Sequence, residues 1–150
     1  MPRLWRSVLH QSQHSQADCL PTVLQMVTAY LGQPLSYQTL YTLLDTQWYG
    51  TPFRHVERLT QHGLQVTIEH LALAEMDAYL TQDIPVVAGV HTGPLSYWSQ
   101  AVDHVVLVVG VQTNHVYVHD PSLPDGPQEI PRVEFELAQL DFDNLCAVIS

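Results

Sequence analysis

The feature that most constrains this chain is a change of hydrophobic period at Gly63. Before it, apolar residues recur at helical spacing; after it, they alternate or run together as strands do. Behind Asp18 they fall at Leu20, Val23, Leu24, Val27, Tyr30 and Leu31. Pro21 suits a first helical turn, and Gly32 followed by Pro34 suits a stop. A second helix is expected after a Ser36 cap, with Leu40, Leu43 and Leu44 on one face. A third is expected from Thr51-Pro52 to Gly63, with Phe53, Val56 and Leu59 inward. Past Gly63, Leu64 to Leu71 alternates like a strand, Ala74 to Leu80 reads as a short helix and Pro85 to His91 as a buried strand. His104 to Val111 and His115 to His119 read as two more strands around a turn near Thr113-Asn114. Phe135 to Leu140 reads as a short helix and Leu145 to Ile149 as a closing strand. Helices first and mostly antiparallel strands later is an α+β order. The 150 residues hold no repeat, low-complexity tract or linker, so residues 1–150 are read as a single domain with one core.

Charge narrows the functions open to such a domain. The net charge is −10, there is no lysine, and the cations are Arg3, Arg6, Arg54, Arg58 and Arg132. Nucleic acid and anionic membrane surfaces both call for a positive footprint, so neither is an expected partner. The longest strictly apolar run, Val105 to Val111, is about seven residues against the ~20 needed to span a bilayer. Met1 to Gln16 lacks the apolar core of a signal peptide. Two cysteines far apart make neither a disulfide framework nor a CxxC metal spacing. A cytoplasmic domain with reduced thiols is the expectation.

The two cysteines differ in context. Cys146 lies among Leu145, Ala147, Val148 and Ile149 and reads as an ordinary buried thiol. Cys19 follows an acid and opens a helix, in the stretch QSQHSQADCLPTVLQMV. Helix N-termini offer unpaired N–H groups and a positive dipole end. Such an environment favours the thiolate, which is the nucleophilic form. A working nucleophile also needs a base, and the base an orienter. The histidines are His10, His14, His55, His62, His70, His91, His104, His115 and His119. His104 stands apart because it opens the most apolar strand, DHVVLVVGV, where a rigid element would hold the ring near solvent.

The segment VYVHDP supplies the orienter. The two strands around Thr113 run antiparallel, and a register in which opposed residue numbers sum to 226 sets His104 opposite Ser122. Asp120 is then a same-face diagonal neighbour, ~7 to 8 Å away. That distance lets a carboxylate reach the imidazole and fix its tautomer. A plain two-residue turn at Thr113-Asn114 gives a sum of 227 and opposite faces, so the register requires a three-residue loop or a bulge. Pro121 fits the end of the strand. Acyl transfer further needs a donor for the developing oxyanion. The Cys19 backbone N–H is one candidate, and the side-chain amides of Gln11, Gln13 and Gln16 are others.

At these residues the chain resembles the bacteriocin-processing cysteine peptidases, which cleave double-glycine leader peptides, and their stand-alone relatives. Their motif is a glutamine, five residues and a cysteine, then a histidine opening an apolar strand, then an aspartate before proline. QHSQADC, DHVVLVVG and VHDP match it, as do the local patterns AYLG, GTPF, HGLQV and IPVVAGV, over roughly Ser12 to Asp120. The resemblance implies a papain-like fold, with Gln13 as oxyanion donor, Cys19 as nucleophile, His104 as base and Asp120 as orienter. It implies a peptide or protein substrate, a leader peptide among the candidates, and is compatible with a separate transporter. The membrane-spanning and ATP-binding domains of the exporter-linked members are not in this sequence, and Leu20-Pro21 stands where many relatives have glycine after the cysteine.

A cysteine peptidase is thus the leading expectation. The same residues would serve a papain-like acyl transferase or deamidase. A catalytically idle peptide-binding module of the same fold is the alternative from another class. A metal centre using His115, His119, Asp120 and Cys19 is disfavoured, since His115 and His119 would lie ~13 Å apart along one strand. No cofactor and no metal are expected. Trp48, Tyr97 and Trp98 are read as packing residues.

Overall fold

The computed structural model describes residues 4–150. Arg3, one of the five cations, lies outside the described residues. Helix α1 (Cys19–Tyr30) buries Leu20, Val23, Leu24, Met26 and Val27, and Gly32 takes the left-handed conformation (φ 77°) just past its end. Helix α2 (Tyr37–Leu43) starts at Ser36, whose hydroxyl accepts the Thr39 N–H at 3.1 Å. Between Phe53 and His62 the chain forms a 3₁₀ helix rather than an α-helix, closed by Gly63 at φ 79°. The reason lies in its buried residues, Phe53, Val56 and Leu59. They recur every third position, which is the 3₁₀ period.

Among the described residues six strands follow, all antiparallel: β1 (Val66–His70), β2 (Val86–His91), β3 (Asp103–Val111), β4 (His115–His119), β5 (Gln128–Pro131) and β6 (Leu145–Ile149). Their order across the sheet is β1-β6-β2-β3-β4-β5. Helix α3 (Leu73–Thr81) precedes β2, and α4 (Arg132–Leu140) joins β5 to β6. β2 and β3 at the centre are buried at nearly every position, so the sheet is covered on both faces there. α1 and α3 pack on β3, and α4 packs on β2. This is the α+β, papain-like arrangement expected from the sequence. Strand β5 was not foreseen. Its four residues, Gln-Glu-Ile-Pro, carry one buried side chain, Ile130, which is too short a signal to stand out.

The β3–β4 register turns on one irregularity. Near the turn, Val111 pairs with Val116 and Gly110 with Tyr117; past a bulge at Val109, Val108 pairs with Val118 and Leu107 with His119. The sum therefore falls from 227 to 226. A two-residue turn is closed by Gln112 N–H on the His115 carbonyl at 2.8 Å, and the bulge makes up the difference. The bulged residue's carbonyl is taken by the Leu4 N–H at 2.8 Å, which ties the N-terminal segment to the sheet.

Candidate active site

The bulge puts His104 and Asp120 on one face, and the pair is made: His104 Nε2 donates to Asp120 Oδ1 at 2.7 Å. Both side chains are buried, Asp120 completely. The second carboxylate oxygen accepts from Tyr97 Oη at 2.6 Å and Trp98 Nε1 at 3.0 Å. Oδ1 also accepts the Ser122 N–H at 2.9 Å and the Ser122 hydroxyl at 2.7 Å. Five donors thus converge on one carboxylate. Burial alone would raise the Asp120 pKa, but the bonds and charge of His104, with Tyr97 and Ser122, hold it well below the usual carboxylate range. Burial likewise opposes a charge on His104. Its bonds to Asp120 and to the Cys19 side chain prevail, and its pKa is raised to about 9. With Nε2 committed to Asp120, Nδ1 is the nitrogen left for Cys19.

Cys19 is the first residue of α1 and stays half-buried. The apolar face of α1, packed on β3, sets the helix so that its first turn meets the start of that strand. Asp18 does not cap the helix with its side chain; it turns back and is fully buried. Its oxygens accept the N–H groups of His14 (2.9 Å) and Ser15 (2.7 Å) and the Ser15 hydroxyl (2.7 Å). Burial would raise its pKa, but these bonds and one from Tyr37 hold it below the ordinary value. Asp18 therefore fixes the turn that carries the glutamines. The Gln13 N–H donates to the Pro121 carbonyl at 2.7 Å, which anchors that turn beside Asp120. The Gln13 side-chain amide gives one N–H to the Ser15 carbonyl at 2.6 Å, leaving the second N–H.

Two cavities meet at this site. The larger, about 790 Å³, is bordered by Gln13, Gln16, Trp98, Gln100, His104 and Ser122 among others. The smaller, about 360 Å³, opens beside Cys19. Cys19, His104, Asp120 and Gln13 are thus brought to one place. Gln16 borders both cavities as well, whereas Gln11 sits half-buried on the segment ahead of them. Tyr97 and Trp98 do more than pack, since both donate to Asp120, and the Trp98 ring stands edge-on to His104 at 4.7 Å. Trp48 does not pack inward at all, being 86% exposed. Their roles had one sequence signal: the segment TGPLSYWSQ sets two aromatic donors in a Gly/Pro/Ser-rich loop, where a core strand or helix has no use for them. His115 bonds Glu129 while His119 Nε2 bonds the Val8 carbonyl, so the two are committed to different partners.

The papain-like fold and the convergence of a helix-borne thiol on a strand-borne imidazole define a class, the papain-like thiol enzymes. The model of the peptidase C39 family matches residues 7–138. The chain belongs to that family and is a cysteine peptidase. Solved structures agree in fold. The peptidase domain of Streptococcus ComA, a bifunctional ABC transporter involved in quorum sensing, superposes with a TM-score of 0.79 at 21% identity, covering 95% of this chain and 98% of that one. A C39-like protein from Bacillus anthracis gives 0.82 at 14% identity, covering 100% and 98%. A double-glycine-motif protease from the AMS/PCAT transporter, solved with its leader peptide, gives 0.70 at 17% identity, covering 99% and 97%. No curated protein matches the chain. Among the described residues no helix is long and apolar enough to cross a membrane.

Proposed function

We propose that this cysteine peptidase cuts a peptide bond through Cys19, His104 and Asp120, with Gln13 as oxyanion donor and residues 1–150 acting as one domain. The observation that carries the reading is the His104–Asp120 bond at 2.7 Å, with the other face of the imidazole turned to Cys19. The Cys19 sulfur attacks the substrate carbonyl, and negative charge moves to the carbonyl oxygen. The free Gln13 N–H and the backbone N–H of Cys19 stabilise that oxygen. The C–N bond then breaks as the His104 imidazolium gives its proton to the leaving amine, leaving a thioester on Cys19. Water attacks the thioester while His104 takes a proton from it, and the C–S bond breaks to release the acid. Asp120 holds the imidazole in place throughout and favours its charged form. A reducing compartment such as the cytoplasm keeps Cys19 free for this chemistry. The bound leader peptide of the PCAT relative supports a peptide substrate, a leader peptide included.

The test is alkylation by iodoacetamide at neutral pH, read by mass at each cysteine in the wild type and in His104→Ala. Cys19 should label much faster than Cys146 and slow by about tenfold or more in the variant, as loss of a positioned base implies. Equal, slow labelling of both cysteines in both proteins would overturn the assignment.

A further inference from the structure

An acid stands directly before the nucleophile, and the chemistry at Cys19 does not call for it. A carboxylate one residue from a thiol disfavours the thiolate by like-charge repulsion. Asp18 is placed to cap α1, yet its side chain makes no cap bond. Both of its oxygens are given to residues ahead of the helix. Oδ2 accepts the His14 N–H, and Oδ1 accepts the N–H and the hydroxyl of Ser15. Two successive backbone N–H groups closed on an anion form a nest, and this nest holds a carboxylate of its own chain. The start of α2 adds the Tyr37 hydroxyl. A fully buried carboxylate with four donors is costly to misplace, so it fixes residues 14 and 15 in turn.

Ser15 carries this order onward to Gln13. With its N–H and hydroxyl both given to Asp18, its carbonyl accepts Gln13 Nε2 at 2.6 Å. The Gln13 backbone N–H is tied separately, to the Pro121 carbonyl at 2.7 Å. Gln13 Oε1 is buried and takes no hydrogen bond from any described residue. The Ser15 carbonyl is therefore the contact that decides which end of the amide faces which way. Half a turn about the last torsion would set Oε1 against that carbonyl, two acceptors face to face. A glutamine side chain left free samples several rotamers, whereas a donor to an oxyanion has to be in place before the charge develops.

We infer that Asp18 is a positioning residue for the oxyanion donor: through Ser15 it fixes the Gln13 amide, so that one N–H stays free for the substrate oxygen. This inference rests on Cys19 being the nucleophile and Gln13 the donor. Asp18, Ser15 and Gln13 form one relay, and its first two members act through the last. Acyl transfer to Cys19 needs the relay, because the substrate carbonyl oxygen becomes an oxyanion. Alkylation by iodoacetamide does not. There the sulfur attacks the methylene carbon and displaces iodide, and no charge develops on a carbonyl oxygen.

The experiment compares these two reactions of Cys19 at neutral pH. Acylation uses p-nitrophenyl acetate: the sulfur attacks the ester carbonyl, the C–O bond breaks, p-nitrophenolate leaves and an acetyl thioester remains. It is read as first-turnover release of p-nitrophenolate that Cys19→Ala abolishes. Alkylation by iodoacetamide is read by mass at Cys19. Gln13→Ala should slow acylation by about 10²-fold, as loss of one oxyanion donor does. Asp18→Asn should slow it by about tenfold or more, as a misplaced donor does. Alkylation should slow in neither. The double variant should acylate no more slowly than Gln13→Ala alone, because Asp18 acts through that amide. Ser15→Ala, at an exposed position, removes only the hydroxyl bond and should slow acylation by about threefold; it decides the matter if Asp18→Asn does not fold. Equal slowing of both reactions, unimpaired acylation in Asp18→Asn, or losses that multiply in the double variant would overturn the inference. Gln13→Ala that acylates like the wild type removes the donor, and alkylation independent of His104 removes the nucleophile; either takes the inference with it. No acylation in a wild type whose alkylation still depends on His104 overturns the inference and leaves the nucleophile standing.

Discussion

His104 and His119 lie on neighbouring strands, β3 and β4, and are both buried, at 4% and 1% exposure. Each presents Nε2 to an oxygen at 2.7 Å, Asp120 Oδ1 for one and the Val8 carbonyl for the other. Their titration nevertheless departs in opposite directions. His104 is raised to about 9 against the effect of burial. His119 is lowered, by burial first and by repulsion from His10, which stands with its ring centroid 5.3 Å away; the carbonyl of Val8 does not make up for this. The sheet supplies equal burial and equal hydrogen-bond length to both. What differs is the charge around the ring: the Asp120 carboxylate and the Cys19 side chain raise His104, whereas His119 has a neutral carbonyl and the His10 imidazole beside it. The carboxylate keeps its own charge because four donor groups besides His104 are aimed at it. A buried histidine becomes a charged acid–base group through such a built anion, not through depth alone.

The largest test of this contrast is on activity. His104→Ala should lower peptidase kcat/KM by about 10³-fold or more, since both the proton transfer and the partner of the thiol are lost. His119→Gln, tested in protein shown to be folded by its melting curve, should stay within about fivefold. A comparable loss in both variants would mean that the two sites are not distinct in function. Asp120→Asn comes next. It keeps the shape but removes the charge, and should cost ~10²- to 10⁴-fold. It should also move the alkaline limb of the pH–kcat/KM profile. With Asp120 present, His104 stays protonated up to about pH 9 and can donate to the leaving amine; without the anion the limb falls toward the ordinary histidine range. An unmoved limb would assign it to another group. Tyr97→Phe is milder. It removes one charge-assisted bond from Asp120 and should destabilise the protein by ~1 to 3 kcal/mol, with an activity loss of about tenfold.

Much of this site was legible because it sits on regular elements. The helix after Asp18, the strand opened by His104 and the Asp120-Pro121 strand end are written in periodicity and in a proline. The even register of β3 and β4 could be required but not located. A two-residue turn with a bulge at Val109 and a three-residue turn give the same face, and the bulge depends on Leu4 from a distant part of the chain. The donors around Asp120 were legible only as two aromatics in a Gly/Pro/Ser-rich loop, not as partners of Asp120. Tyr97 and Trp98 come from the irregular segment between β2 and β3, where side-chain direction follows no period. In the sequence Asp18 is only the acid ahead of a helix, and the fold shows that it faces the glutamine-bearing turn. The cavity beside Cys19 was invisible for a related reason: it is lined by residues from separate segments, among them Tyr49, Phe53, Val105 and Phe142.

The smallest effect, and the one that sharpens the contrast most, is on stability against pH. His119 has a folded pKa below its unfolded value of about 6.5. The unfolded chain therefore binds the proton more readily, and the neutral form's stabilisation is present above about pH 6.5 and lost as the pH falls below it. His104 is the reverse. Its folded pKa of about 9 lies above the unfolded value, so its contribution is full below about pH 6.5 and is lost as the pH rises through 9. Urea unfolding between pH 5 and 10 reads both limbs in one protein. His119→Gln should flatten the acid limb and leave the alkaline one, and His104→Gln should flatten the alkaline limb and leave the acid one, each by at most about 1.4 kcal/mol per pH unit. A single variant that flattened both limbs would mean that the two histidines titrate as one coupled group, and the contrast between charged and neutral partners would fail with it.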